Sequence, residues 1–411
     1  MRKNLDKIAA LIDDGSMSLG MASVNYRLTA EEKRLLKEKV MKLNEERKQI
    51  KQQILDEMRT SPELYHTERV AFMLGLDSGY DEDDSSLLEK VGISFDDIAV
   101  ACELPKHLTA EILCEDDYPL PDYSVMQYDG DIVDEHRTDI FFLGAANVGK
   151  SSMVCSVIHR LTDEGCGEFD YGDDDDERSC EYRDAIIDCA KQFYKVPASS
   201  SKYSLLFCPV RISDTRKRLT IIDAGRRAMA DLAKILEIRS NIQKDNNIYR
   251  VMSNDNSKML FFLIDYGMIR QDNSVTICKL SLMIEKTIRA LLTDGRGKDH
   301  TKGCTMSKVT TIGLIFTKCD LENKGMRTAL QNVNNFIEKN LREVMRLLHD
   351  VCSRFDINKE NNKEPYVKCF SMGRFTVGNT LIYDPTCTDD IVNVIKETCP
   401  NQWPWHCKKK G

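Results

Sequence analysis

An α/β fold, with a mainly parallel six-stranded sheet flanked by helices and an α-helical module ahead of it, is what this sequence predicts. Three observations carry the prediction. Beyond Arg137, short apolar runs alternate with longer stretches of helical spacing, the pattern of strands joined by crossover helices. One glycine-bearing stretch, GAANVGKS at 144–151, sits between an apolar run and a helical pattern. Residues 29–60 read as a single long helix.

In chain order, TAEEKRLLKEKVMKLNEERKQIKQQILDEMRT is rich in helix formers, with Thr29 and Glu32 at capping-box spacing and Ser61-Pro62 as the stop. Leu36, Val40, Leu43, Ile50 and Ile54 follow a heptad-like rhythm that Arg47 interrupts. The run is shorter than a sustained coiled coil needs, so the apolar face is expected to pack within its own module, residues 1–62. Residues 63–137 read as an acidic, partly helical connector, with DEDD at 81–84 and EDDY at 115–118. Ile98 to Cys102 and Leu108 to Cys114 are its candidate short helices. From 138 to 400 the strand candidates are TDIFFLG, KYSLLFCPVRI, RLTIIDAG, KMLFFLIDY, TTIGLIFTKCD and YVKCFSMG. Residues 401–411 form a tail in which Trp403 and Trp405 are expected to cap the core.

Composition narrows the function. A chain of 411 residues, 42% of them hydrophobic, can bury a sizeable core. A net charge of −8 argues against a general nucleic-acid binder, whose phosphate affinity needs clustered Lys and Arg. The longest strongly apolar run, Met259 to Ile264, is far below the roughly 20 residues of a membrane span. No signal-type apolar core develops after MRKNLDKIAALIDDG, so a cytoplasmic protein without a membrane span is expected. The 15 cysteines lack disulfide or zinc spacing and are expected to be reduced thiols.

In a parallel sheet ligands sit at the carboxyl ends of the strands, and the residues after each apolar run are the informative ones. Gly144, Ala145, Ala146, Asn147, Val148, Gly149, Lys150 and Ser151 satisfy G-x-x-x-x-G-K-[ST] with a strand before and a helix after. Glycines let backbone N–H groups close on phosphate oxygens, and a helix N-terminus adds the positive end of its dipole. Lys150 would neutralise β- and γ-phosphates, and the Ser151 hydroxyl would ligate Mg²⁺. At the end of TTIGLIF, Asp320 can accept two hydrogen bonds, from N1–H and the 2-amino group of guanine. Adenine offers neither, and against it the carboxylate would stand desolvated and unpaired. The Lys318 stem can lie along the base.

These motifs, in this order, resemble the P-loop GTPases of the Ras-like and translation-factor class over roughly residues 138–400. The resemblance implies a P-loop GTPase-like fold binding GTP or GDP with Mg²⁺. It implies that Asp223 in LTIIDAG holds the metal's water shell, that Thr317, Lys318 and Asp320 form the base motif, and that the backbone at Ser371 and Met372 meets the guanine oxygen. Ser152 and Gly225 complete the expected nucleotide contacts. Met372 stands where the family usually has Ala. Asp223-Ala224-Gly225 is one residue short of the family's D-x-x-G, with Arg226-Arg227 in place of a water-orienting Gln. The 72 positions from Ser151 to Asp223 contain Ser199, Ser200 and Ser201, any of which could take the part of the family's metal-closing Thr. The five acidic residues at 173–177 read as a solvated loop.

The resulting expectation is a guanine-nucleotide-binding regulatory protein in which Lys150 and Mg²⁺ stabilise charge on the β,γ-bridge during slow GTP hydrolysis. With no residue identified to position the attacking water, stimulation by a protein effector, a second GTPase or a second copy of the chain is expected. A P-loop ATPase and a nucleotide-binding scaffold without hydrolysis are the alternatives.

Overall fold

The computed structural model describes residues 4–13, 15–65, 69–70, 73, 87–114, 137–145, 147–163, 167–169, 205–212, 217–224, 251–252, 254–271, 273–293, 305–322 and 324–400. Contacts divide the chain into two units, Met1–Asp117 with Phe375–Leu381, and Tyr118–Arg374 with Ile382–Gly411.

The first unit is helical: α1 (Leu5–Asp13), α2 (Leu19–Asn25), α3 (Ala30–Thr60), α4 (Leu87–Lys90), α5 (Phe95–Cys102) and α6 (Thr109–Cys114). The Thr29–Glu32 capping box forms in both directions, and α3 stops one residue before Ser61. Leu36 is fully buried against Ile8, Ala9, Ala22 and Leu28, with Val40 and Leu43 alongside, so the first half of the heptad-like face of α3 is spent on α1 and α2, while Ile50 further along it is exposed. Arg47, the break in that rhythm, donates to the backbone oxygen of Asp13 at 3.0 Å and pairs with the Asp13 carboxylate. A guanidinium at the last turn of α1 meets the negative end of that helix as well as the acid. Further along α3, Lys51 reaches Gly92 O and Asp97 Oδ2, both at 2.8 Å. Burial pushes the Asp97 carboxyl up, but hydrogen bonds from Lys51 and Ser94 outweigh it and hold the group at about 2.

The second unit is an α/β sheet. All six apolar runs are strands: β1 (Thr138–Leu143), β3 (Leu205–Ile212), β4 (Arg218–Ala224), β5 (Ser257–Asp265), β6 (Val309–Thr317) and β7 (Tyr366–Cys369). A three-residue strand, β2 (Gly167–Phe169), adds a seventh at one edge. The order is β2-β3-β4-β1-β5-β6-β7, with β4, β1, β5, β6 and β7 parallel and β2 and β3 antiparallel to their neighbours. A separate two-stranded sheet pairs β8 (Gly373–Thr376) with β9 (Thr380–Tyr383), and the segment Phe375–Leu381 within it belongs to the first unit.

Helices flank the large sheet: α7 (Lys150–Asp163), α8 (Gly267–Gln271), α9 (Ser274–Thr293), α10 (Met326–Asn340), α11 (Arg342–Phe355) and α12 (Thr386–Thr398). The pleat sends Phe141, Leu143, Leu260, Phe262, Ile312, Leu314 and Phe316 into one core. There they meet stripes at helical spacing, Ile277, Leu280, Ile284, Ile288 and Leu291 of α9, and Val344, Leu348 and Val351 of α11. Each such side chain contributes about 1.5–3 kcal/mol on burial. Phe142 points the other way and stacks on Phe261 at 5.7 Å. The helices α7 and α12 pack together through Ser156 and Thr388, 2.6 Å apart, and an Arg160–Asp389 ion pair.

At the amino ends of the strands, Lys258 and Asp139 are both fully buried, 4.0 Å apart. The Lys258 ammonium is satisfied by Asn254 O, Asn254 Oδ1 and Asn256 O at 2.7–3.0 Å, and Asn254 and Asn256 donate to Asp139. Because these charges are satisfied within the fold, they need no ligand to explain them. Among the described residues, no helix is long and apolar enough to cross a membrane. Cys102, Cys155, Cys278, Cys319, Cys352, Cys369, Cys387 and Cys399 are free thiols, all buried except Cys278.

Candidate functional site

Strand β1 has β4 on one side and β5 on the other, and the chain leaves it first toward β4 and later returns to build outward from β5. That reversal makes the carboxyl end of β1 the switch point of the sheet, the place where open α/β sheets take their ligands. Gly144 begins the loop at that point. A Cβ on Gly144 would stand 2.8 Å from Val148 Cγ1 and 3.0 Å from Leu263 O, so close packing onto β5 excludes any side chain. Asn147 (φ 58) and Gly149 (φ 89) are left-handed, and the loop runs straight into α7 at Lys150. A loop with left-handed residues that runs into a helix start is a kind of backbone whose amides can receive an anion.

The Lys150 side chain is buried and folds across its own loop, donating to Ala145 O at 2.8 Å and Gly144 O at 3.2 Å. A polyphosphate offers an ammonium stronger acceptors than these carbonyls, because ionised acceptors make the stronger hydrogen bonds. Ser151 is half-buried in the first turn of α7. Asp223 lies near the end of β4, one residue beyond the Phe141↔Ile222 pair of the β1/β4 register, so its backbone stands at the same end of the sheet as Gly144. Ala146, Ser199, Ser200, Ser201, Gly225, Arg226, Arg227, the acidic run 173–177 and the tail 401–411 lie outside the described residues.

The second loop follows β6. Thr317 is fully buried, and its hydroxyl lies 2.6 Å from Val148 O and 3.3 Å from Ile264 O, tying this strand end to the 144–151 loop. Lys318 is left-handed (φ 59, ψ 36) and its ammonium sits 2.7 Å from Asp265 Oδ2. Asp320, half-buried, lies 3.2 Å from the Ser371 hydroxyl. Burial pushes the Asp320 carboxyl above the usual range, while hydrogen bonds from its own backbone and Ser371 and the Lys318 charge pull it down. Ser371 is held by Gly373, its hydroxyl 2.6 Å from Gly373 O and accepting from Gly373 N at 3.1 Å. Met372 is buried and its carbonyl accepts from Asp384 N at 2.9 Å.

Three residues that sequence motifs did not mark complete this loop. Asp265 ends β5 opposite Thr317, and Tyr266 N donates to Thr317 O at 3.0 Å. The Tyr266 hydroxyl donates to Glu322 Oε2 at 2.9 Å, and Asn332 Nδ2 donates to both at 3.0 Å. Only the polar ending of the run KMLFFLIDY signalled that something beyond a strand stood there. A groove of about 630 Å³ between α9 and α11, lined by Cys278, Arg289, Arg342 and Arg346, lies apart from these loops, with Arg289 paired to Glu285 and Arg346 to Glu343.

Comparison with known protein families and with curated proteins finds no match to this chain.

Proposed function

We propose that this chain is a guanine-nucleotide-binding regulatory protein of the P-loop GTPase kind, hydrolysing GTP slowly and signalling its nucleotide state to a protein partner. One observation carries the reading. A glycine-built loop that opens a helix after β1 and an Asp320–Ser371 pair after β6 and β7 stand at the carboxyl ends of parallel strands, with β5 between β1 and β6, and the Thr317 hydroxyl joins them at 2.6 Å from Val148 O. The first offers amides and the Lys150 ammonium to a polyphosphate. The second offers a carboxylate to the N1–H and 2-amino edge of guanine, with the Ser371–Met372 backbone beside it.

Ser151 and Asp223 are hard oxygen donors, a set suited to Mg²⁺, which when bound would neutralise phosphate charge. The chain's own part is to bind and orient. Lys150 would place positive charge where the β,γ-bridge gains negative charge, and the loop amides would receive the phosphate oxygens. In the sequence Arg226-Arg227 stand where the family has a water-orienting Gln, and this favours slow turnover that a partner accelerates.

Calorimetry in Mg²⁺ tests the reading. The full chain is expected to bind GDP and GTP but not ATP, and Lys150→Ala to weaken both by about a hundredfold. Asp320→Asn is expected to shift preference from guanine toward xanthine nucleotide. Equal binding of ATP would favour a P-loop ATPase, and GTP binding without single-turnover phosphate release would favour a scaffold. No heat from GTP or GDP with well-folded protein would overturn the proposal.

A further inference from the structure

We infer that Asp265 is a positioning residue for purine binding, acting through Lys318; the inference rests on the nucleotide reading above. Asp265 is the last residue of β5 and pairs in register with Thr317. Its carboxylate has two separate tasks. Oδ1 accepts from Gly267 N at 2.8 Å, which fixes the side chain's own direction. Oδ2 receives the Lys318 ammonium at 2.7 Å.

The ion pair is not what shapes the loop. Lys318 occupies a left-handed conformation that a non-glycine residue holds only when its surroundings over-determine it. Backbone bonds supply that constraint: Tyr266 N to Thr317 O at 3.0 Å, Leu321 N to Lys318 O at 3.1 Å and Cys319 N to Phe370 O at 3.1 Å. The side chains of Lys318 and Asp265 are 40% and 30% exposed, a setting in which an ion pair adds little to stability. What Asp265 does set is the direction of the four-carbon Lys318 stem. A free lysine has many rotamers, and a flat base resting on its methylenes would have to freeze them. An anchored stem is ordered in advance, so less of the binding energy goes to ordering it. Both groups also act on Asp320, the Lys318 charge holding its carboxyl down and the Asp265 charge pushing it up. Asp265 thus draws the ammonium to itself and leaves Asp320 for the base.

The test is a double-mutant cycle on the full chain, with dissociation constants for GDP and for inorganic pyrophosphate, both with Mg²⁺. Asp265→Asn keeps an acceptor for Gly267 N and removes the charge; Asp265→Ser does the same with a shorter side chain, should the first variant fold poorly. Either is expected to weaken GDP about tenfold, leave pyrophosphate unchanged, and cause no further loss in a Lys318→Met background. Unchanged GDP affinity, an equal loss for both ligands, or losses that multiply in the double variant would overturn the inference while the nucleotide reading stands. Wild-type protein that binds neither ligand would remove the nucleotide reading and this inference with it.

Discussion

The loop at 144–151 and the loop at 317–322 stand at the carboxyl ends of β1 and β6, with β5 between them, yet they are held in different ways. Backbone shapes the first. Gly144 lies against Val148 and Leu263, Asn147 and Gly149 turn left-handed, and the Lys150 ammonium returns to carbonyls five and six residues back. The second also turns on backbone bonds, but its side chains are held by borrowed ones, with Asp265, Tyr266, Asn332 and Ser371 each supplying a bond from elsewhere in the chain. A loop shaped by close backbone approach should fail abruptly when an atom is added. One held by several side chains should weaken in steps as each is removed.

Breaking the first loop should give the largest effect. Gly144→Ala places a Cβ 2.8 Å from Val148 Cγ1 and 3.0 Å from a backbone oxygen that cannot easily move. Overpacking of this kind costs about 1–3 kcal/mol, and urea unfolding should show a loss near the top of that range. Next comes the link between the loops. Thr317→Val keeps the shape but leaves the buried Val148 carbonyl without its donor, costing about 1–3 kcal/mol, while Thr317→Ser should cost less because the hydroxyl remains.

The third prediction reverses sign. Because burial raises the Asp320 carboxyl, the folded chain keeps that proton to higher pH than the unfolded chain does. Its contribution to stability is therefore full below the ordinary carboxylate range and is lost as pH rises through the folded value. Asp320→Asn should be more stable than wild type at neutral pH and lose that advantage in acid, by melting temperature across pH. An unchanged difference across pH would show that Asp320 ionisation is not the cause. The smallest effect belongs to the outer support of the second loop. Tyr266→Phe removes one hydrogen bond to Glu322 while Asn332 still donates there, so chemical unfolding should register a loss of about 0.5–1.5 kcal/mol.

How much of this was legible in the sequence depends on how far each cause reaches along the chain. The six apolar runs announced their strands because burial on both faces of a parallel sheet writes continuous hydrophobic stretches. Strand β2 and the β8–β9 pair were not foreseen, since segments of three and four residues carry too little periodicity to stand out. The Thr29–Glu32 box was legible because both partners lie within one turn. Arg47 looked like a flaw in a seam, and only the fold showed the end of α1 beside it, 34 residues away in sequence. The same holds for Asp265, which is 53 residues from the lysine it anchors and belongs to no local pattern.

Local rules, then, were enough to write the alternation of strands and helices, the cap of α3 and the glycine positions of the first loop, because propensity, pleat and backbone freedom act between near neighbours. The strand order that puts β1 between β4 and β5, and the company that Lys318, Asp320 and Thr317 keep, were settled only in three dimensions. Those depend on which distant segments share a sheet, and the energy that selects them comes from burying whole faces together, which no short stretch of chain encodes alone.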